Sequence, residues 1–183
     1  MKKNGLICSV SVLILGCSET LQAPALHDFG VSNDWTEQRL QPTVSPKIKV
    51  IAPKWLNDDR LHYRLLYEQP TRVRFYNLDQ WLAPPPELLK LQFASVRFDP
   101  NYSLVIHLQN FEQQFEAPGR ASVLLRFSAE VFVSGSKNTL NAQEFVLRSG
   151  KISPDAQGAV KGFAELAGQA VQQIQTWLQQ LKP

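Results

Sequence analysis

The side chains able to do chemistry are few and scattered. His27, His62 and His107 are the only histidines, no two of them fall at i,i+4, and Cys8 and Cys17 both lie near the N-terminus. A zinc site needs three or four such ligands at short spacings, so none is predicted. His62 and His107 fall on the polar phase of their runs. Asp58, Asp59, Asp79 and Glu87 could be paired on paper for general acid–base work. The plainer reading is that they are turn carboxylates and helix-start charges. The chain has neither a G-x-S-x-G elbow nor a P-loop, so neither serine hydrolysis nor nucleotide hydrolysis is supported. The expectation is a protein that is not an enzyme and binds no cofactor or metal.

The chemistry that the sequence does spell out is an acylation. Lys2 and Lys3 precede an apolar run from Gly5 to Gly16, which is shorter than the roughly 20 residues of a membrane span and fits a secretion signal. The run ends Ile14-Leu15-Gly16-Cys17, which resembles the lipobox of bacterial lipoproteins, with Leu15 where a smaller residue is more usual. Residues 1–16 then form a signal peptide, and Cys17 takes an S-diacylglycerol and an N-acyl chain, enough for stable attachment. The alternative is an ordinary signal cleaved elsewhere. Ser18 rather than Asp after the cysteine favours sorting to the outer membrane. Once Cys8 is removed, Cys17 is the one cysteine left, so no disulfide holds the domain. Loss of Lys2 and Lys3 takes the net charge from +3 to about +1. That weak charge and the secreted compartment argue against nucleic acid.

Residues 17–44 read as a lipidated tether with one strand candidate at His27-Asp28-Phe29-Gly30, and residues 45–183 as a single domain. Alternation of period two marks Lys47–Ala52 and Leu61–Tyr67, joined through Asn57-Asp58-Asp59, then Arg72–Tyr76. Glu87 to Phe93 suits a short helix with Pro86 in its first turn. Tyr102–Phe111, Ala121–Val133 and Ala142–Arg148 read as an antiparallel meander, the last two joined through Ser134–Asn138. A long amphipathic helix is predicted over 154–182, capped by Ser153 with Pro154 at its first position. Gly162 and Gly168 within it read as close-packing points. The fold class is α+β: a mostly antiparallel sheet packed against a long C-terminal helix and a short internal one.

The stretch from Tyr67 to Leu89 gathers Tyr67, Phe75, Tyr76, Trp81, Arg72, Arg74 and the triplet Pro84-Pro85-Pro86. Aromatics with arginine are favoured at protein interfaces, and a stiff proline segment lowers the ordering cost of binding. Arg74, Tyr76, Asp79 and Trp81 are the candidate partner-binding residues. Trp81 reads equally well as a docking anchor or a sheet-edge plug. Tyr67 is expected to face the core, and one of Phe75 and Tyr76 must face outward.

In order and spacing, Ile51-Ala52-Pro53-Lys54-Trp55-Leu56, Tyr63-Arg64-Leu65-Leu66-Tyr67, Arg74-Phe75-Tyr76 through Trp81 and Pro85, Phe111–Phe115 and the closing Trp177-Leu178 resemble the ABC-type transport auxiliary lipoproteins, the family that includes paraquat-inducible protein C. Asn77-Leu78-Asp79-Gln80 departs from the smaller residues commoner there. The resemblance implies a non-catalytic, periplasm-facing lipoprotein at the outer membrane that docks the outer end of a bridge built by a mammalian-cell-entry (MCE) protein in an ABC-type lipid transport system. A ring-shaped partner makes homo-oligomerisation an expectation. Two rival readings are a lipid carrier, with an apolar groove between sheet and helix, and a structural envelope lipoprotein without a transporter.

Overall fold

The computed structural model describes residues 22–30, 47–133, 135–136 and 138–181; Cys17, the expected signal segment and most of the expected tether lie outside the described residues. One seven-stranded sheet is formed by β1 (Ala25–His27), β2 (Lys47–Ile51), β3 (Arg60–Leu65), β4 (Arg74–Trp81), β5 (Tyr102–Ala117), β6 (Arg120–Val133) and β7 (Thr139–Ile152). The helices are α1 (Pro85–Phe93) and α2 (Ala156–Gln180). Strand order is β1-β4-β3-β5-β6-β7, with β2 also on β5. The long β5–β6 and β6–β7 ladders and the β3–β4 pair are antiparallel. The short β1–β4, β2–β5 and β3–β5 pairings are parallel. The architecture is the expected α+β one, on a mixed sheet.

Long β5 organises the rest. Its first half carries β2 along Ser103–His107, and its second half carries β3 along Gln113–Phe115. Side chains alternate across a strand, and Leu104, Ile106 and Leu108 face the helices. A register shift between Leu108 and Asn110 changes the phase, so that Phe111 and Phe115 continue the same inner face. β6 adds Val123, Leu125, Phe127, Ala129 and Val131, and β7 adds Phe145 and Leu147. About 37 Å long at 1.5 Å per residue, α2 covers this face through Phe163, Leu166, Ala170, Ile174 and Trp177.

Several boundaries differ from the sequence reading. The first strand is Ala25–His27 rather than 27–30, and Phe29 beyond it packs on Trp81 and Phe111. β4, β5 and β7 are each longer than expected, because ladder pairing carries the chain through polar segments such as Glu112-Gln113-Gln114. The cap of α2 is Asp155, not Ser153: its Oδ1 accepts the Gly158 N–H at 2.7 Å, while the Ser153 hydroxyl donates to Oδ2 at 2.5 Å. Tyr67 is 47% exposed, because β3 ends at Leu65 and the chain turns away.

Gly162 is a close-packing point, since a Cβ there would lie 2.7 Å from Val123 Cγ2; Gly168 is not, having nothing within 4 Å of the same position. Gly162→Ala should therefore lose about 1–3 kcal/mol through overpacking, more than the roughly 1 kcal/mol that helix propensity returns. Gly168→Ala should gain up to about 1 kcal/mol. Urea unfolding of the two variants checks both signs.

Candidate functional site

β4 lies between β1 and β3, and its geometry is set by an irregularity. Tyr63 pairs with Arg74 and His62 with Phe75, but Arg60 pairs with Gln80. Four residues of β4, Tyr76 to Asp79, thus stand opposite Leu61 alone. Such a bulge changes which side chains face which side. Arg74 and Tyr76 before it share the inner face with Tyr63, and Trp81 after it is again on the inner face.

The four candidate residues are therefore brought together on the core side. Trp81 is 1% exposed, with its ring 5.5 Å from Phe29, 5.5 Å from Phe111 and 5.8 Å from Phe163. Of its two readings, the observed packing is that of a plug. The half-buried Tyr76 lies 4.9 Å from the Tyr63 ring and donates to Gln113 Oε1 at 2.7 Å. Burial first, then the negative charges of Asp155 and Asp79 together with Tyr63, pushes its phenol above the ordinary tyrosine range. Gln113 spends its own amide on the carbonyls of Ser153 and Asp155 at the start of α2. Asp79 Oδ1 meets His27 Nε2 at 2.8 Å, tying β4 to β1. Arg74 reaches Glu68 at 3.2 Å, while its Nε is buried without a hydrogen-bond partner.

The residues that face outward are ones that the sequence reading did not single out for binding. Leu26, Leu78 and Leu82 are each more than half exposed. In the β1–β4 register Leu26 stands beside Gln80, with Leu78 and Leu82 two residues to either side of it. Phe75 is exposed nearby, its ring capped by the Arg60 guanidinium at 4.6 Å. Single exposed apolar residues mean little, whereas neighbouring ones form an apolar patch of the kind that interaction surfaces share. Only the bulge reveals the group, because simple alternation over Phe75–Leu82 cannot put Phe75 and Leu78 on one side.

The same outer face carries buried polar groups. His62, expected to be exposed, is 6% exposed and lies 3.2 Å from Asp58 Oδ1. Burial holds its imidazole below the ordinary value of 6.5, outweighing the opposing pull of Asp58. Arg64 donates to the buried Glu112 at 2.7 Å, and Gln114 donates to the other oxygen of that carboxylate at 2.8 Å. Arg64 and Glu112 neutralise one another. Among the described residues no three His, Cys, Asp or Glu side chains gather to hold a metal. A shallow groove of about 450 Å³ between β7 and α2 is walled by glutamines over Phe145 and Trp177, and its lining includes no titratable side chain.

The chain is similar in fold to a protein of Xanthomonas campestris described as DUF330: TM-score 0.62 at 18% identity over 87% of this chain and 94% of that one. An uncharacterized protein superimposes with TM-score 0.60 at 13% identity, over 85% of this chain and 99% of that one. A Caulobacter crescentus lipoprotein is more distant, at TM-score 0.42 and 16% identity over 52% and 84% of the two chains, and carries no weight. No family model and no curated protein matches. At such identities the likeness is one of fold. The class so defined is an α+β domain on a mixed sheet, similar in fold to the DUF330 protein.

Two outcomes follow. Tyr76→Phe should lose about 1–3 kcal/mol, by leaving the buried Gln113 carbonyl without its donor, as measured by urea denaturation. The unfolded chain takes up a proton at His62 near pH 6.5, whereas the folded one does so only at lower pH. Stability should be complete above 6.5 and fall as the pH drops below it. Urea midpoints at about pH 7.5 and 5.5 should show the decline, and His62→Gln should flatten it.

Proposed function

We propose that this protein is a lipid-anchored, non-catalytic auxiliary component of an ABC-type lipid transport system, held at the outer membrane through Cys17 and docking an MCE-domain protein. The observation that carries the reading is the outward apolar group of Leu26, Phe75, Leu78 and Leu82 with Arg60, in a chain whose lipobox-like Ile14-Leu15-Gly16-Cys17 precedes Leu26 by nine residues. Arg74, Tyr76, Asp79 and Trp81 then serve docking from beneath. Trp81 and Tyr76 anchor β4 to the core, and Asp79 holds β1 against it, so the outward side chains are presented on a stiff strand. Pre-ordering of that kind reduces the entropy lost on binding. The carrier reading draws little support: Phe111 and Phe163 stack at 3.8 Å at the centre of the helix–sheet layer, and the groove at its β7 side is walled by glutamines.

A photoreactive residue placed at Leu78 in living cells, followed by mass spectrometry, should capture an MCE-domain protein, and the same residue at Leu140 on the far side of the sheet should not. Capture of phospholipid alone at Leu78, or equal capture at both positions, would sink the docking reading. Palmitate labelling tests the anchor separately: incorporation should be abolished by Cys17→Ala.

A further inference from the structure

β7 ends the sheet, and no strand lies on its outer side among the described residues. It is 14 residues long, whereas β1 at the opposite end has three. Its ladder with β6 runs without a break from Ser122↔Gly150 to Val131↔Asn141, with register shifts only at the ends. The strand has no proline. Long edges invite another strand, and proteins blunt them with prolines, bulges, brevity or charged side chains. The middle of β7 has no proline and no bulge, and its two charged side chains, Glu144 and Arg148, are of opposite sign.

The outward side chains indicate which strand fits. Glu144, Val146 and Arg148 alternate on the face away from α2, with Val146 61% exposed at the centre. A second β7 laid antiparallel, Val146 opposite Val146, sets Glu144 of each copy against Arg148 of the other. Phe145 then meets Leu147 on the inner face, and the apolar layer beneath the helices continues across the junction. The neighbouring registers are worse. Centring on residue 144 or 148 opposes two carboxylates or two guanidiniums, and centring on 145 or 147 sets a charge against Val146. Opposite charges facing across a strand pair stabilise it and like charges destabilise it. Glu144 already receives Arg126 through Oε1, and Arg148 donates to Ser122 at 2.8 Å. A carboxylate has a second oxygen and a guanidinium has further donors for the added partner.

We infer that β7 is a homodimer interface: two copies of this chain join edge to edge about a two-fold axis through Val146, making one sheet across both. The pairing is isologous and closes on itself, so it consumes the edge rather than propagating. It depends on neither acylation nor a transport partner.

The test is oxidative crosslinking of the full chain carrying Val146→Cys, with the unaltered chain run alongside to account for Cys8 and Cys17. Opposed Cβ atoms in an antiparallel pair lie about 4.5–5.5 Å apart, so V146C should give a disulfide-linked dimer in high yield. L140C should not, because the two Leu140 positions would be about 40 Å apart at 3.4 Å per residue. Adding Glu144→Arg to V146C should cut the yield severalfold, and adding Arg148→Glu as well should restore it. Dimer from V146C no greater than from L140C, or a double charge reversal as weak as the single one, would overturn the inference.

Discussion

Phe111 and Phe163 stack at 3.8 Å with their planes 17° apart, and Trp81 meets both rings edge-on. These contacts join the long central strand, the terminal helix and a strand near the sheet's edge. Aromatic pairs of this kind add about 0.5–1.5 kcal/mol beyond the area they bury. Geometry matters more than that sum, for Trp81 holds the end of β4 at a fixed depth. Phe29 packs on the same cluster and brings in the segment that follows β1. Without this joint, β1 would be a three-residue strand held by little more than its ladder and the His27–Asp79 contact.

The bulge in β4 is the counterpart of that joint. Because Trp81 must face inward while Tyr76 also faces inward toward Gln113, the intervening residues cannot keep a simple alternation. The extra length between Tyr76 and Asp79 absorbs the mismatch and turns Leu78 outward. Polar ties then stiffen the same region. Gln113 links Tyr76 to the first turn of α2, and Asp155 closes that turn. Strand, helix start and outward leucines are thereby joined through one set of contacts. At the far edge β7 has no comparable cover, and its side-chain pattern rather than its packing selects what can join it.

Much of the fold was legible in the chain. The period of 3.6 residues running from Val160 to Leu181 and the period of two in Tyr102–Leu108 and Ala121–Val133 foretold α2, β5 and β6, because burial on one face imposes those periods directly. Pro84-Pro85-Pro86 foretold the start of α1, since proline suits a first turn and little else. The inclination of Arg74, Tyr76, Asp79 and Trp81 was not legible. It depends on a bulge and on parallel pairings with residues far away in sequence, which leave no local mark. His62 likewise looked exposed from its phase, and was buried by Asp58 and its cross-strand neighbours. The sequence by itself determined that the chain would form an α+β domain with one long covering helix, because local periodicity and turn chemistry are properties of neighbouring residues. Which aromatics serve the core and which apolar side chains face out was decided only by tertiary structure, because a register shift changes the facing of every residue beyond it.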